Sequence, residues 1–285
     1  MASHEGPALT PSTSKPPRSE LKIRVLSAIV MIVLALGTAY WGGWPFALFW
    51  LAAGIAIMVE WTDMTGVEPR RAVQTVFGLG ALALTVLFLS GASFAVGALT
   101  AVTALVLGTL LTKGSDSKLW AASGFAYAIV IVLVPPMIRA YPGVGVLGLI
   151  WMFAVVWATD ITAYFTGRAI GGPKLCPAIS PKKTWSGFFG GLFAATLAGF
   201  LVVWVGERFG VTHSFHPWGT IALSMVASIA SQIGDLGESA LKRHCDVKDS
   251  SHLIPGHGGV MDRLDGFWAV ALIAGLVLLV ASGVA

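Results

Sequence analysis

Asp235, Glu238, Ser239 and Lys242 recur at three- and four-residue spacing, so on a helix they share one face, with Arg243 at its edge. Asp262 and Asp265, also three apart, would face together at the start of a later helix. Brought together by the turn Pro255-Gly256-His257-Gly258-Gly259, these two carboxylate pairs supply hard oxygen ligands of the kind Mg²⁺ takes when it also binds substrate phosphates. Solvated ion pairs at a membrane surface account for any one of these acids. They do not account for the whole group beside Lys182, Lys183, Lys242, Arg243 and Arg263. Zinc is the weaker reading, because the spacing of His244, Cys245, His252 and His257 fits neither a Cys2His2 pattern nor His-Glu-x-x-His. His257, set between glycines, is a candidate phosphate contact or proton donor.

A second polar segment precedes this one. Asp160 follows an unbroken apolar run, and a carboxylate there is costly unless hydrated, paired or bound to a cation. Downstream, Ser180-Pro181-Lys182-Lys183-Thr184 leads into a helix that opens with Gly187. Hydroxyls, two ammonium groups and a helix N-terminus with free N–H groups make a phosphate cradle. It is not a P-loop, since the Gly-x4-Gly-Lys pattern is missing. Gly167, Gly171 and Gly172 read equally well as turn residues, and Gly190 and Gly191 as helix-packing positions.

These residues need elements to hold them, and the composition says which kind. The chain is 56% hydrophobic and 11% charged, against roughly 25% charged in an average soluble domain, and its mean hydropathy is +0.80. Such a surface must meet lipid. Two cysteines, Cys176 and Cys245, allow at most one disulfide and exclude a secreted disulfide framework. The net charge of +4 is too small and too scattered for a nucleic-acid surface.

Runs of about 20 apolar residues mark transmembrane helices. Nine are expected, at about 22–40, 45–61, 72–90, 93–112, 119–138, 144–159, 187–205, 219–234 and 266–283. The fold class is therefore an all-α polytopic membrane protein with two polar catalytic loops, 160–186 and 235–265. Residues 1–21 read as a disordered tail with no signal-peptide pattern after it. Residues 22–143 form an N-terminal group of spans, and 144–285 a catalytic membrane domain. With the N-terminus in the cytoplasm, only Arg139 and Arg208 of the 18 Lys and Arg fall outside, as the positive-inside rule requires. Both polar segments then face the cytoplasm, and no internal repeat suggests a transporter.

The run from Ser239 to Asp265, with its Lys242-Arg243, Lys248-Asp249, Pro255-x-His257-Gly-Gly and Asp262-Arg263-x-Asp265 elements, resembles the signature of the phosphatidate cytidylyltransferase (CDP-diacylglycerol synthase) family. Thr159-Asp160, Ala163-Tyr164-Phe165, Gly167-Arg168 and Ser180-Pro-Lys-Lys-Thr184 resemble it too. Ser186 stands where that family commonly has Glu, so it inherits no carboxylate role. The likeness covers about residue 150 to the C-terminus. It implies transfer of a cytidylyl group from CTP to phosphatidic acid, giving CDP-diacylglycerol and pyrophosphate in the bilayer. It further implies Mg²⁺, a K⁺-type monovalent cation, a homodimer and a bacterial inner-membrane location.

Read with that chemistry, Asp235 and Asp262 become the leading metal ligands, supported by Glu238 and Asp265. Lys182, Lys183, Lys242, Arg243 and Arg263 are assigned to phosphates, with Ser180, Thr184, Ser239, Asp160 and Asp249 as further polar members. A CTP-dependent lipid kinase, leaving CDP, and a phosphate or metal transporter are the alternatives.

Overall fold

A carboxylate ends an apolar run, but it does not end a helix, whose i→i−4 hydrogen bonds continue as readily in water as in lipid. This decides where the expected spans and loops differ from the observed ones. The computed structural model describes residues 18–211 and 216–281. Nine helices long and apolar enough to cross a membrane occur among them. In chain order they are α1 (Arg18–Trp41), α2 (Gly43–Met64), α3 (Arg70–Leu89), α4 (Phe94–Leu111), α5 (Ser115–Ala140), α6 (Gly145–Ile170), α7 (Trp185–Arg208), α8 (Pro217–His244) and α9 (Met261–Ala281).

The number of spans matches the expectation, while three boundaries do not. α6 continues past Thr159 to Ile170, α8 continues past Gly234 to His244, and α9 begins at Met261 rather than Gly266. About half of each expected loop, 160–186 and 235–265, is therefore helical extension. Their connecting parts shrink to 171–184 and 245–260. The first connection contains an antiparallel hairpin, β1 (Lys174–Cys176) with β2 (Ser180–Thr184), so Ser180-Pro-Lys-Lys-Thr is a strand. The tail expected at 1–21 is helical from Arg18 onward, and its remainder lies outside the described residues.

α6 packs along α7, α8 sits between α7 and α9, and α5 bridges α2 and α9. Small residues allow the close approaches. A methyl at Gly187 would lie 2.7 Å from the Ala163 carbonyl oxygen, and one at Gly234 would lie 2.6 Å from that of Asp265. Backbones this close are the usual means of helix association in lipid, where apolar burial drives little. Side-chain hydrogen bonds add to it: Trp151 Nε1 donates to Ser224 Oγ and Thr159 Oγ1 to Ser228 Oγ, each at 2.9 Å.

One aromatic column ties the early helices to the late ones. Trp50 of α2 stacks on Phe267 of α9 at 5.0 Å, and Phe267 stacks on Phe153 of α6 at 5.4 Å. Tyr127 of α5 lies parallel to Trp268 at 4.3 Å. Offset stacks of this kind each add about 0.5–1.5 kcal/mol beyond their buried area. They fix the start of α9 against α2, α5 and α6.

Candidate active site

The C-terminal ends of α2, α6 and α8 and the N-terminal ends of α7 and α9 meet at one end of the bundle. α8 carries Asp235, Glu238 and Lys242 there on one face, as their spacing requires. Lys242 Nζ lies 3.0 Å from Glu238 Oε1 and 2.6 Å from Asp262 Oδ1. The three side chains are enclosed, with 15%, 1% and 4% of their surface exposed. The other oxygen of Asp262, Oδ2, accepts from Ser250 N at 2.9 Å, Ser250 Oγ at 3.0 Å and Gly259 N at 2.8 Å. Asp262 therefore has both oxygens engaged by the protein itself.

Asp235 pairs instead with the hairpin. Its Oδ2 meets Lys183 Nζ of β2 at 2.6 Å. Together they line a cavity of about 660 Å³ with Asp160, Tyr164, Arg168, Lys174 and Lys182. Its floor is the α6–α7 contact. Thr184 caps α7, its hydroxyl accepting from Gly187 N at 3.2 Å, and a methyl at Gly167 would lie 2.8 Å from that hydroxyl. Ser186 Oγ donates to the Gly171 carbonyl and pairs with Thr184 Oγ1, closing the hairpin onto α7. The cavity thus combines two acids with four cations, and the charges of Asp265, Asp235, Lys183 and Arg263 act on Asp160.

A second cavity of about 470 Å³ lies across α8 from the first. Trp61, Tyr127, Ile233, Leu241, Trp268 and Leu272 line it, and Glu238 is the carboxylate in its wall.

The sequence-nominated residues divide accordingly. Asp160, Lys182, Lys183, Thr184 and Asp235 line the polar cavity. Lys242, Glu238 and Asp262 form the ion cluster behind it. Asp265, whose Oδ1 accepts from Gly266 N at 2.7 Å, interacts electrostatically with Asp235 and Lys242. Ser239 Oγ reaches toward Asp235 Oδ1 at a long 3.4 Å. Ser180, Arg243 and Asp249 do not line the polar cavity, and Arg243, Asp249 and Arg263 are exposed. His257 Nδ1 pairs with Ser27 Oγ of α1 at 2.8 Å. Partial burial, then the Arg263 guanidinium, holds His257 below the ordinary imidazole value. Among the described residues no three His, Cys, Asp or Glu side chains form a ready-made metal cage.

Sequence reasoning missed Glu60. It lies in α2, inside an expected span, with only 2% of its surface exposed. Its Oε1 accepts from Ser251 Oγ at 2.7 Å and Val260 N at 2.8 Å, and its Oε2 from Met261 N at 2.8 Å and Ser250 Oγ at 3.1 Å. The signal that singled out Asp160, a carboxylate at the end of an apolar run, was present here as well.

The family model described as the cytidylyltransferase family matches residues 22–281. The chain belongs to the cytidylyltransferase family. Among similar curated proteins, a phosphatidate cytidylyltransferase of Brucella abortus (strain 9-941) is 42% identical over 258 residues, covering 90% of this chain and 92% of that one. Another of that name, from Haemophilus influenzae, is 35% identical over 87% of this chain and 95% of its own. A third, from Staphylococcus haemolyticus, is 32% identical over 91% and 99%. The match starts at residue 22, so the likeness reaches beyond the stretch from about residue 150 that the motifs cover.

Proposed function

We propose that this protein is a phosphatidate cytidylyltransferase, moving CMP from CTP to phosphatidic acid and releasing pyrophosphate. The observation that carries the reading is the polar cavity in which Lys182, Lys183, Lys174 and Arg168 face Asp160 and Asp235 at the membrane boundary. Both substrates are polyanions, and one is a lipid. A site for them must gather cations at that boundary.

In the reaction a phosphate oxygen of the lipid attacks the α-phosphorus of CTP in line. The new oxygen–phosphorus bond forms as the bond to the β-phosphate bridging oxygen breaks, and the electron pair leaves on pyrophosphate. The attacking phosphate is already ionised near neutral pH, so no protein nucleophile is needed. Positioning and charge stabilisation supply the acceleration. In this reading Lys183 exchanges its Asp235 partner for a phosphate oxygen, and Lys182, Lys174 and Arg168 neutralise the rest of the triphosphate.

The donor chemistry suits Mg²⁺, which is commonly held by one or two carboxylates together with substrate phosphates, so no complete protein cage is required. Asp235 would hold it, with Asp160 and Asp265 beside it, and when bound it supplies charge neutralisation of the triphosphate. Asp262, whose oxygens are occupied by Lys242 and three loop donors, serves in this arrangement by fixing the cluster. The apolar cavity beyond α8 takes an acyl chain of the lipid. A K⁺-type cation, a homodimer and a cytoplasm-facing site in a bacterial inner membrane complete the reading, the last supported by the one-sided placement of Lys and Arg.

The deciding assay incubates purified protein with CTP, phosphatidic acid and Mg²⁺. Release of pyrophosphate with formation of a CDP-lipid is expected. Release of CDP would make the protein a lipid kinase, and phosphate uptake by proteoliposomes without CTP turnover would make it a transporter.

A further inference from the structure

We propose that Glu60 is a positioning residue for the reaction, holding the 250–261 segment and through it Asp262. The proposal rests on the cytidylyltransferase reading for its activity readout.

Four donors from that segment converge on the Glu60 carboxylate: the hydroxyls of Ser250 and Ser251 and the amides of Val260 and Met261. The two amides stand at the start of α9, where a helix leaves N–H groups without internal partners and its dipole favours an anion. Glu60 therefore caps α9 from another helix, replacing the side-chain cap that Val260 cannot provide. Among the described residues it has no cationic partner, so these hydrogen bonds and the helix end are what hold it in place. A carboxylate held this way fixes its donors as firmly as they fix it.

The link onward is Ser250. Its hydroxyl lies 3.1 Å from Glu60 Oε2 and 3.0 Å from Asp262 Oδ2, and its amide donates to that same Asp262 oxygen. Gly259 sits in the gap between the two carboxylates: a methyl on it would lie 2.0 Å from Ser250 Oγ and 2.7 Å from either Glu60 oxygen. Its own amide donates to Asp262. Glu60 and Asp262 thus share one short piece of backbone, and displacing the first must shift the second. This gives the second span a part in the chemistry that the position of Asp262 alone would not suggest.

The test compares Glu60→Gln, Glu60→Ala and Ser250→Ala in purified full-length protein, with activity expressed per folded molecule. Glu60→Ala should lower kcat by about 10–100-fold, the range for supporting partners of site ligands, with KM for CTP within about 2-fold of the parent. Glu60→Gln keeps the shape and one acceptor oxygen and should fall between. Because Ser250 carries the coupling, adding Ser250→Ala to Glu60→Gln should cost less than the product of the two separate losses. Hydrogen exchange at 250–261 should rise in Glu60→Gln while the Trp50–Phe267 region is unchanged. Parental kcat in both Glu60 variants, a loss confined to KM, or fully multiplicative losses in the double variant would overturn the proposal. If Glu60→Ala does not fold, Glu60→Gln and Ser251→Ala carry the same comparison. Absence of CDP-lipid synthesis by the parent protein would instead overturn the cytidylyltransferase reading itself.

Discussion

Lys242 of α8 stands 2.6 Å from Asp262 of α9, the closest charge pair between these two helices, and shares the same ammonium with Glu238. Removing one member of so enclosed a cluster leaves uncompensated charge and costs about 3–5 kcal/mol. Lys242→Met should therefore lower the apparent Tm in detergent and abolish CDP-lipid formation. Asp262→Asn should also lose turnover, by about 100-fold or more. A Lys242→Met protein with parental Tm would show that the cluster is not held together in solution.

Asp235 offers the contrasting case. Its side chain and that of its partner Lys183 are 35% and 24% exposed, so water screens the pair and it contributes no more than about 1 kcal/mol. Asp235→Asn should leave the Tm within a few degrees while reducing turnover by about 100-fold. Stability and activity falling together would remove Asp235 from the metal-binding role.

Gly237 faces open space in the apolar cavity, with nothing within 4 Å of an added methyl. The Cβ of Gly237→Leu meets no neighbour, and loss of a mid-helix glycine favours α8 by up to about 1 kcal/mol. The variant should be as stable as its parent. It should raise KM severalfold for long-chain phosphatidic acid and leave a dihexanoyl substrate unaffected. Equal effects on both substrates would place the acyl chain elsewhere.

His257 gives a pH prediction. The folded protein holds this imidazole below its ordinary value near 6.5, so the neutral form favours folding above about 6.5 and that contribution is lost as pH falls through the lowered folded value. Acidification should therefore loosen the His257–Ser27 contact, read as increased hydrogen exchange at 255–258. His257→Gln, which cannot become charged, should not show this step.

The sequence exposed the helical count and the shared face of Asp235, Glu238 and Lys242, because apolar length and helical period are local properties. It did not expose the hairpin at 174–184, since three- and five-residue strands beside Pro177 and Pro181 carry too little pattern to stand out. The division of labour between Asp235 and Asp262 was hidden for a different reason. As residue types they are the same, and only the donors contributed by Ser250 and Gly259 make one engaged and the other open to the cavity. Glu60 was passed over because its partners lie 190–201 positions away in the chain.

That separation also bears on how the molecule is made. A ribosome delivers α2 to the bilayer long before α9 exists, so the Glu60 carboxylate enters the membrane region with none of its four eventual donors yet synthesised. Until α9 arrives, this end of the bundle must satisfy the Glu60 carboxyl group in some other way. Chains truncated before α9 should therefore carry a polar defect at that end for membrane quality control to detect, and the site becomes competent only once α9 has been made.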